Sequence, residues 1–113
     1  MIRCWGRIQW AALPLALCLL GFSAPLWGQG EGATLFKSKC AGCHSADGSA
    51  SGAAGKAMHI RNLASPDVQK QTDAELTAII TNGKGSMPAY KDKLSADQIK
   101  QAVSYIRELA KKK

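Results

Sequence analysis

Two cysteines and one histidine stand together in the segment CAGCH, residues 40–44. This CxxCH spacing is the attachment pattern of c-type haem. The two thiols add across vinyl groups of the porphyrin, and the adjacent imidazole becomes an axial ligand of the iron. The pattern therefore predicts one covalently bound haem c, held by Cys40 and Cys43, with His44 on the iron.

A methionine in a loop is the candidate for the second axial position. Met87 lies in GKGSMPAY, residues 83–90, where glycines let the chain curve and Pro88 fixes the backbone beside the methionine. A thioether ligand favours reduced iron and raises its potential relative to two histidines. Met58 and His59 compete for this role, although Met58 is typical of a gap-filling core residue and His59 of a surface histidine.

Four short helices are predicted to position these residues. The first covers residues 31–39, and the second begins at Ser65-Pro66, a hydroxyl N-cap followed by proline at the first helical position. The third opens with the capping box TDAE, residues 72–75, and ends at Asn82-Gly83. The fourth opens with a second capping box, SADQ, residues 95–98.

Apolar residues recur at helical spacing in the third and fourth helices. The two predicted buried stripes are Leu76, Ile79 and Ile80, and Ile99, Ala102, Val103, Ile106 and Leu109. No segment alternates with period two, and SADGSASGAAG after His44 indicates a loop. The predicted fold class is all-α, with three to four short helices.

The chain is short of core material. A domain of this size buries only about 60% of the surface of its unfolded chain, and large apolar residues are few after residue 28. A disulfide between Cys40 and Cys43 would close too short a loop to stabilise the fold much. A large apolar cofactor is therefore the expected completion of the core.

The first thirty residues are typical of a secretory leader. Arg3 and Arg7 precede an uncharged stretch from Trp10 to Trp27, which Pro14 and other residues interrupt. We predict a signal peptide over residues 1–28, cut between 23 and 30, and a mature domain over residues 29–113. A lipoprotein cut before Cys18 is disfavoured because the preceding leucine is too large for that position.

Removal of the leader changes the cysteine count and the charge. Cys4 and Cys18 leave, so a structural zinc site could draw only on Cys40, Cys43, His44 and His59, with histidines too far apart for finger spacing. A redox CxxC pair is expected beside a βαβ pattern, which is missing here.

The net charge falls from +7 to +5, because 13 basic and 8 acidic residues remain. The basic residues are scattered rather than clustered, so nucleic acid is not an expected partner. Those between the cysteines and the tail include Lys56, Arg61, Lys70, Lys84, Lys91, Lys93, Lys100 and Arg107.

Several motifs in this order resemble the class I cytochrome c family. They are GxxLFxxxCxxCH from Gly32, GxGxMPAY from Gly83, Leu94-Ser95 and VxYI from Val103. The chain looks like the small single-haem bacterial form, close to the cytochrome c6, c551 and c553 types. The resemblance implies a haem-centred all-α fold in which the first and last helices cross near Gly32 and Tyr105.

The chain departs from the family pattern in the surroundings of the haem. Many relatives have a proline whose carbonyl accepts a hydrogen bond from the axial histidine, whereas none occurs between His44 and Pro66. Ser45 stands where glycine is common, and no tryptophan follows residue 28. Asn82 could donate a hydrogen bond to the sulfur of Met87 or could cap its helix.

These features predict a soluble monohaem electron carrier exported to the periplasm, not an enzyme. It is expected to be a monomer that meets redox proteins transiently. Lysines could steer it toward acidic partners or could serve only as solubilising charge; the candidates are Lys37, Lys39, Lys56, Lys84, Lys91 and Lys93. One alternative is a haem enzyme or gas sensor with a labile Met87. The other is the same carrier held at a membrane by an uncleaved leader.

Overall fold

The computed structural model describes residues 29–112. Its six α-helices are α1 (Gln29–Lys39), α2 (Ala41–His44), α3 (Ala53–Ala57), α4 (Pro66–Gln69), α5 (Asp73–Asn82) and α6 (Ala96–Lys111). Over residues 29–112 no strand forms, and the one β-bridge joins Lys84 and Met87. The predicted all-α class is confirmed.

The predicted leader, residues 1–28, lies outside the described residues, and so do Cys4 and Cys18. The signal peptide and its cleavage site therefore stay predictions. Within the described part of the chain, no helix combines the length and the apolar character that crossing a membrane requires.

Both predicted capping boxes are present. At the start of α5, Thr72 N–H donates to Glu75 Oε2 at 2.7 Å, and Glu75 N–H donates to Thr72 Oγ1 at 3.1 Å. At the start of α6, Ser95 N–H donates to Gln98 Oε1 at 2.9 Å and Gln98 N–H donates to Ser95 Oγ at 3.1 Å. Each box satisfies two backbone donors that a helix start leaves without an intrahelical acceptor.

The first and last helices cross at Gly32, as the resemblance implied. A Cβ at this position would lie 2.8 Å from the carbonyl oxygen of Gln101 and 3.4 Å from Cβ of Tyr105. One turn further on, Phe36 is 1% exposed, and its ring lies 5.2 Å from that of Tyr105. Only glycine allows the two backbones to approach this closely.

The core is formed largely by α6. All five residues of its predicted stripe are buried, and Tyr105 joins them. In α5, Leu76 and Ile80 are buried in the same core, but Ile79 is only half-buried. Ile79 instead lines the cavity described below, so its apolar side chain faces the same side of α5 as the core residues.

Two short helices were not predicted. α2 lies within the cysteine segment, residues 40–44, and α3 lies partly within the stretch expected to be loop. No side chain caps α3, whose N-cap is Gly52, so the sequence carries no start signal for it. Its fit depends on Gly55, where a Cβ would lie only 2.1 Å from the carbonyl oxygen of Ala50.

The start of α4 also differs from expectation. Ser65 is the N-cap and Pro66 follows, but the Ser65 hydroxyl makes no capping hydrogen bond. The backbone carbonyl of Ser65 accepts instead, from Val68 N–H at 3.1 Å and from Gln69 N–H at 2.9 Å.

Arg107 joins α6 to the segment between α4 and α5. Its guanidinium donates to Asp73 Oδ1 at 2.8 and 3.0 Å, to the Gln69 carbonyl at 2.9 Å and to the Gln71 carbonyl. Arg107 is one of the scattered basic residues of the sequence, yet only 25% of its side chain is exposed. The guanidinium fork matches several acceptors at once, and this holds one wall of the cavity against α6.

Candidate haem site

A cavity of about 300 Å³ brings together the four residues predicted to hold haem: Cys40, Cys43, His44 and Met87. This volume falls within the range of about 300 to 1,000 Å³ usual for ligand and cofactor pockets. The remaining wall is mainly apolar and includes Phe36, Leu63, Val68, Leu76, Ile79 and Ile80. The apolar lining suits a porphyrin, and the four residues supply thiol, imidazole and thioether groups.

The chain places the cysteines and the histidine on one helical turn. Cys40 lies between α1 and α2, and its carbonyl accepts hydrogen bonds from Cys43 N–H at 3.2 Å and His44 N–H at 2.9 Å. Cys40 is half-buried, Cys43 is exposed, and both are free thiols. Burial raises the pKa of the Cys40 thiol, so this residue carries its proton at neutral pH.

His44 lies half-buried at the cavity wall, with its ring 6.5 Å from that of Phe36. Burial lowers the pKa of this imidazole, which favours the neutral form that binds metal ions. Nδ1 is buried, and no hydrogen-bond partner for it occurs in the described residues. This agrees with the lack of the proline that supplies the acceptor in many relatives, and it leaves the ring uncommitted to the protein's own polar network.

Met87 is presented by a tight turn after α5. Lys84 N–H donates to the Met87 carbonyl at 3.2 Å, and Met87 N–H donates to the Lys84 carbonyl at 3.0 Å. Gly83 has a φ of 76°, and a Cβ there would lie 2.6 Å from the Met87 carbonyl oxygen. The predicted need for glycine in this loop is thus explained, and Gly83 rather than Asn82 is the C-cap of α5.

The far end of this loop is fixed at two places. Tyr90 N–H and Lys91 N–H donate to the carbonyls of Ile80 and Thr81, at 3.0 and 3.1 Å, which returns the chain to α5. The Tyr90 hydroxyl donates to the carbonyl of Lys39 at 2.9 Å. Burial raises the pKa of Tyr90, with the nearby Cys40 and Cys43 contributing, so the hydroxyl keeps the proton that it donates.

The two competing ligands also line the cavity, at its rim. Met58 is 41% exposed, so the interpretation of this residue as core filling was wrong. His59 is exposed, as expected of a surface histidine, and it adopts a φ of 50°. His59, which is not a glycine, therefore holds a left-handed backbone directly after the C-cap of α3.

The described residues contain no cluster of side chains that matches a structural zinc site. Among residues 29–112, no three side chains of the histidine, cysteine, aspartate or glutamate type converge as a metal site would require.

Comparison with known proteins identifies the family. Residues 29–106 match the family described as cytochrome c oxidase, cbb3-type, subunit III. The chain is 36% identical over 105 residues to a cytochrome c6 of Gloeothece citriformis, covering 87% of this chain and 90% of that protein. The chain is a class I c-type cytochrome.

Two further relatives give the same result. A cytochrome c6 of Leptolyngbya boryana is 37% identical over 81 residues, covering 72% of this cytochrome and 92% of the relative. A cytochrome c6-like protein of Nostoc sp. is 38% identical over 82 residues, covering 73% and 71%. Membership implies one covalently bound haem c and the role of an electron carrier rather than an enzyme.

Sequence reasoning missed the contacts that support the site in this cytochrome. The hydrogen bond from Tyr90 to Lys39 spans 51 residues, and no local spacing signals it. Arg61 and Gln71 line the cavity without belonging to any motif, and Lys84, inside the methionine loop, was predicted only as a steering or solubilising charge. The available signal was the presence of a tyrosine, Tyr90, at the end of the predicted ligand loop, since a tyrosine hydroxyl can anchor such a loop by a hydrogen bond.

Proposed function

We propose that Cys40 and Cys43 attach haem c, that His44 and Met87 ligate its iron, and that the protein is an exported, soluble electron carrier. The observation that supports this proposal is the shared cavity, which all four residues line together with mainly apolar side chains. Each thiol adds its S–H across one vinyl C=C, so a thioether forms and nothing leaves. The bound group supplies reversible one-electron exchange at iron.

The residues of the chain determine what that exchange is used for. With His44 and Met87 both bound to the iron, no ligand position would remain open for oxygen or peroxide, and this would favour electron transfer over catalysis. The thioether of Met87 would stabilise reduced iron, and the apolar side chains of the wall would limit the access of water to it. We therefore assign the protein a carrier role at a higher potential than a bis-histidine site would have.

Lysines of the Met87 loop, its continuation and the end of α1 are the proposed contact with acidic redox proteins. Lys84 lines the cavity, the backbone of Lys39 binds Tyr90, and Lys93 Nζ lies 5.7 Å above the Tyr90 ring. The ion pairs found over residues 29–112 use other basic residues. Such contacts between redox proteins are small and short-lived, and the carrier acts as a monomer.

The leader supports export to the periplasm. Its basic start and uncharged stretch match a secretory signal. The mass of the protein purified from its own cell tests this proposal. A mass that corresponds to a start between residues 24 and 31 plus one haem supports cleavage, whereas a chain that retains Met1 would indicate the membrane-tethered alternative.

Optical spectra of Met87→Ala and Met58→Ala test the axial ligand. The oxidised wild-type protein is expected to show the weak long-wavelength band of methionine bound to ferric haem. Met87→Ala should lose this band, lower the reduction potential and let the reduced protein bind carbon monoxide, because an axial position opens. Met58→Ala is the matched control and should behave as wild type.

Two results would contradict the assignment. Loss of the band in Met58→Ala but not in Met87→Ala would make Met58 the ligand. A folded wild-type protein that lacks the band and binds carbon monoxide would instead support the haem enzyme or gas sensor.

A further inference from the structure

The loop that carries Met87 is held to the rest of the protein on two sides. On one side, backbone hydrogen bonds from Tyr90 and Lys91 return it to the last turn of α5. On the other side, the Tyr90 side chain reaches across to α1, where its hydroxyl donates to the Lys39 carbonyl at 2.9 Å. This second link joins the loop to the residue directly before Cys40.

We propose that Tyr90 is a positioning residue. Its hydroxyl holds the Met87 loop to the haem-attachment segment by a hydrogen bond and thereby restrains exchange of Met87 for external ligands. The proposal rests on the ligation of iron by Met87 under the proposed function. It concerns how firmly the loop is held, which the ligand assignment alone does not determine.

The acceptor explains why this hydrogen bond is stable. Lys39 is the last residue of α1, and the final carbonyls of a helix have no intrahelical donor. The Tyr90 hydroxyl supplies a donor to one of them. The Tyr90 ring is half-buried, and the Lys93 ammonium lies 5.7 Å from its centre, so the side chain is held in place from both ends.

The position of Tyr90 in the loop gives the hydroxyl its influence on Met87. Tyr90 follows Met87 by three residues, and the reciprocal hydrogen bonds between Lys84 and Met87 make the first part of the loop one compact turn. A ligand that displaces Met87 must move this turn. While the hydroxyl is bound to Lys39, the chain on the C-terminal side of the turn is anchored, and this hydrogen bond opposes movement of the turn.

Imidazole binding to the oxidised holoprotein tests the proposal, with Tyr90→Phe and Tyr105→Phe as variants. Each removes one hydroxyl from a ring that otherwise remains, and these are the chain's two tyrosines. Tyr105 packs against Phe36 and lies outside the cavity lining, so Tyr105→Phe is the matched control. Imidazole competes with the thioether for iron, so its apparent affinity measures how readily Met87 leaves.

Tyr90→Phe should retain the methionine band without imidazole and should bind imidazole about two- to tenfold more tightly, the factor that the net worth of one hydrogen bond predicts. Tyr105→Phe should bind it as wild type does. A purely structural role of the hydroxyl would lower the thermal midpoint of Tyr90→Phe while leaving imidazole affinity unchanged.

Two outcomes would overturn the proposed role of the Tyr90 hydroxyl, and they are distinguishable. Equal imidazole affinity in Tyr90→Phe and wild type, with the methionine band present in both, overturns this role and leaves Met87 ligation intact. A wild-type protein without the band overturns both Met87 ligation and the role of the hydroxyl.

Discussion

At the scale of single residues, Gly83 is the residue on which the presentation of Met87 depends most directly. Its φ of 76° is one that side chains other than glycine's rarely adopt, and the space beside it is filled by the Met87 carbonyl. Gly85, two residues later, has a φ of 58° but open space around it. A comparison of substitutions at Gly83 and Gly85 therefore distinguishes the cost of a left-handed backbone from the cost of a steric clash.

Gly83→Ala is expected to destabilise the holoprotein by more than Gly85→Ala. The left-handed backbone alone costs about 1–2 kcal/mol in either variant, and Gly83→Ala adds a contact of 2.6 Å with backbone that must shift. The measurement is the free energy of unfolding, together with the methionine band. Equal destabilisation of the two variants, with the band retained in both, would show that the clash at residue 83 does not reach Met87.

The local motifs at this scale were predictable, and the contacts between them were not. The CxxCH pattern and the methionine that follows two glycines indicate which residues could bind haem, because each motif consists of residues that are close in the sequence. The placement of Met58 at the rim depends on how the chain folds around Gly55, which packs on Ala50. Composition could not reveal that contact.

At the scale of helices, the crossing of α1 and α6 is the contact that Gly32 permits. Gly32→Ala should lower the free energy of unfolding by about 1–3 kcal/mol, as overpacking of a tight interface does. Gly30 lies in the same helix with nothing within 4 Å of its Cβ position. Gly30→Ala should therefore leave stability unchanged or raise it by up to about 1 kcal/mol through better helix propensity.

Urea unfolding of the two variants measures this difference. Equal stability of Gly32→Ala and Gly30→Ala would mean that α1 and α6 can separate without loss, contrary to the close approach at the crossing.

The two capping boxes differ in one respect that pH can reveal. Hydrogen bonds from Thr72 lower the pKa of Glu75, whereas the equivalent position in α6 is occupied by Gln98, an amide that does not ionise. Since the folded-state pKa of Glu75 lies below its unfolded value, this contribution to stability is complete above the unfolded pKa. It is lost as pH falls through the folded pKa.

Glu75→Gln should retain the box, because its amide oxygen can still accept from Thr72 N–H, and should remove this acid dependence. The measurement is the free energy of unfolding of wild type and Glu75→Gln across the acid range. The wild type should be favoured above the unfolded pKa, and the difference should shrink as pH falls. A difference that does not vary with pH would contradict the role of the Glu75 carboxylate.

The starts of α5 and α6 were predictable because a capping box consists of four adjacent residues. The helices α2 and α3 lack such a signal, since no side chain caps either of them. The role of Arg107 was also hidden, because its acceptors lie 34 to 38 residues away. Tertiary contacts decide these features, and a single sequence does not display them.

At the scale of the whole molecule, the cavity is part of the core rather than an addition to it. Cys40→Ala/Cys43→Ala, prepared without haem, is expected to lose cooperative folding. An unfilled cavity of 300 Å³ at about 24 cal/mol per Å³ corresponds to at most about 7 kcal/mol. This is comparable with the whole stability of a domain, about 5–15 kcal/mol.

Near-ultraviolet circular dichroism and thermal unfolding of this double variant, against the holoprotein, provide the measurement. A sharp unfolding transition at the holoprotein's temperature would contradict the role of haem in completing the core.

The crossing of α1 and α6 also limits when the protein can fold during its synthesis. Glu31 and Gln101 are joined by a hydrogen bond across 70 residues, and Phe36 is covered by Tyr105. During synthesis the amino-terminal part emerges first, so α1 lacks its packing partner until nearly the entire chain exists. Cys40 and Cys43 are therefore synthesised long before the helix that packs on α1, and the fold cannot close around either thiol until the chain is almost complete.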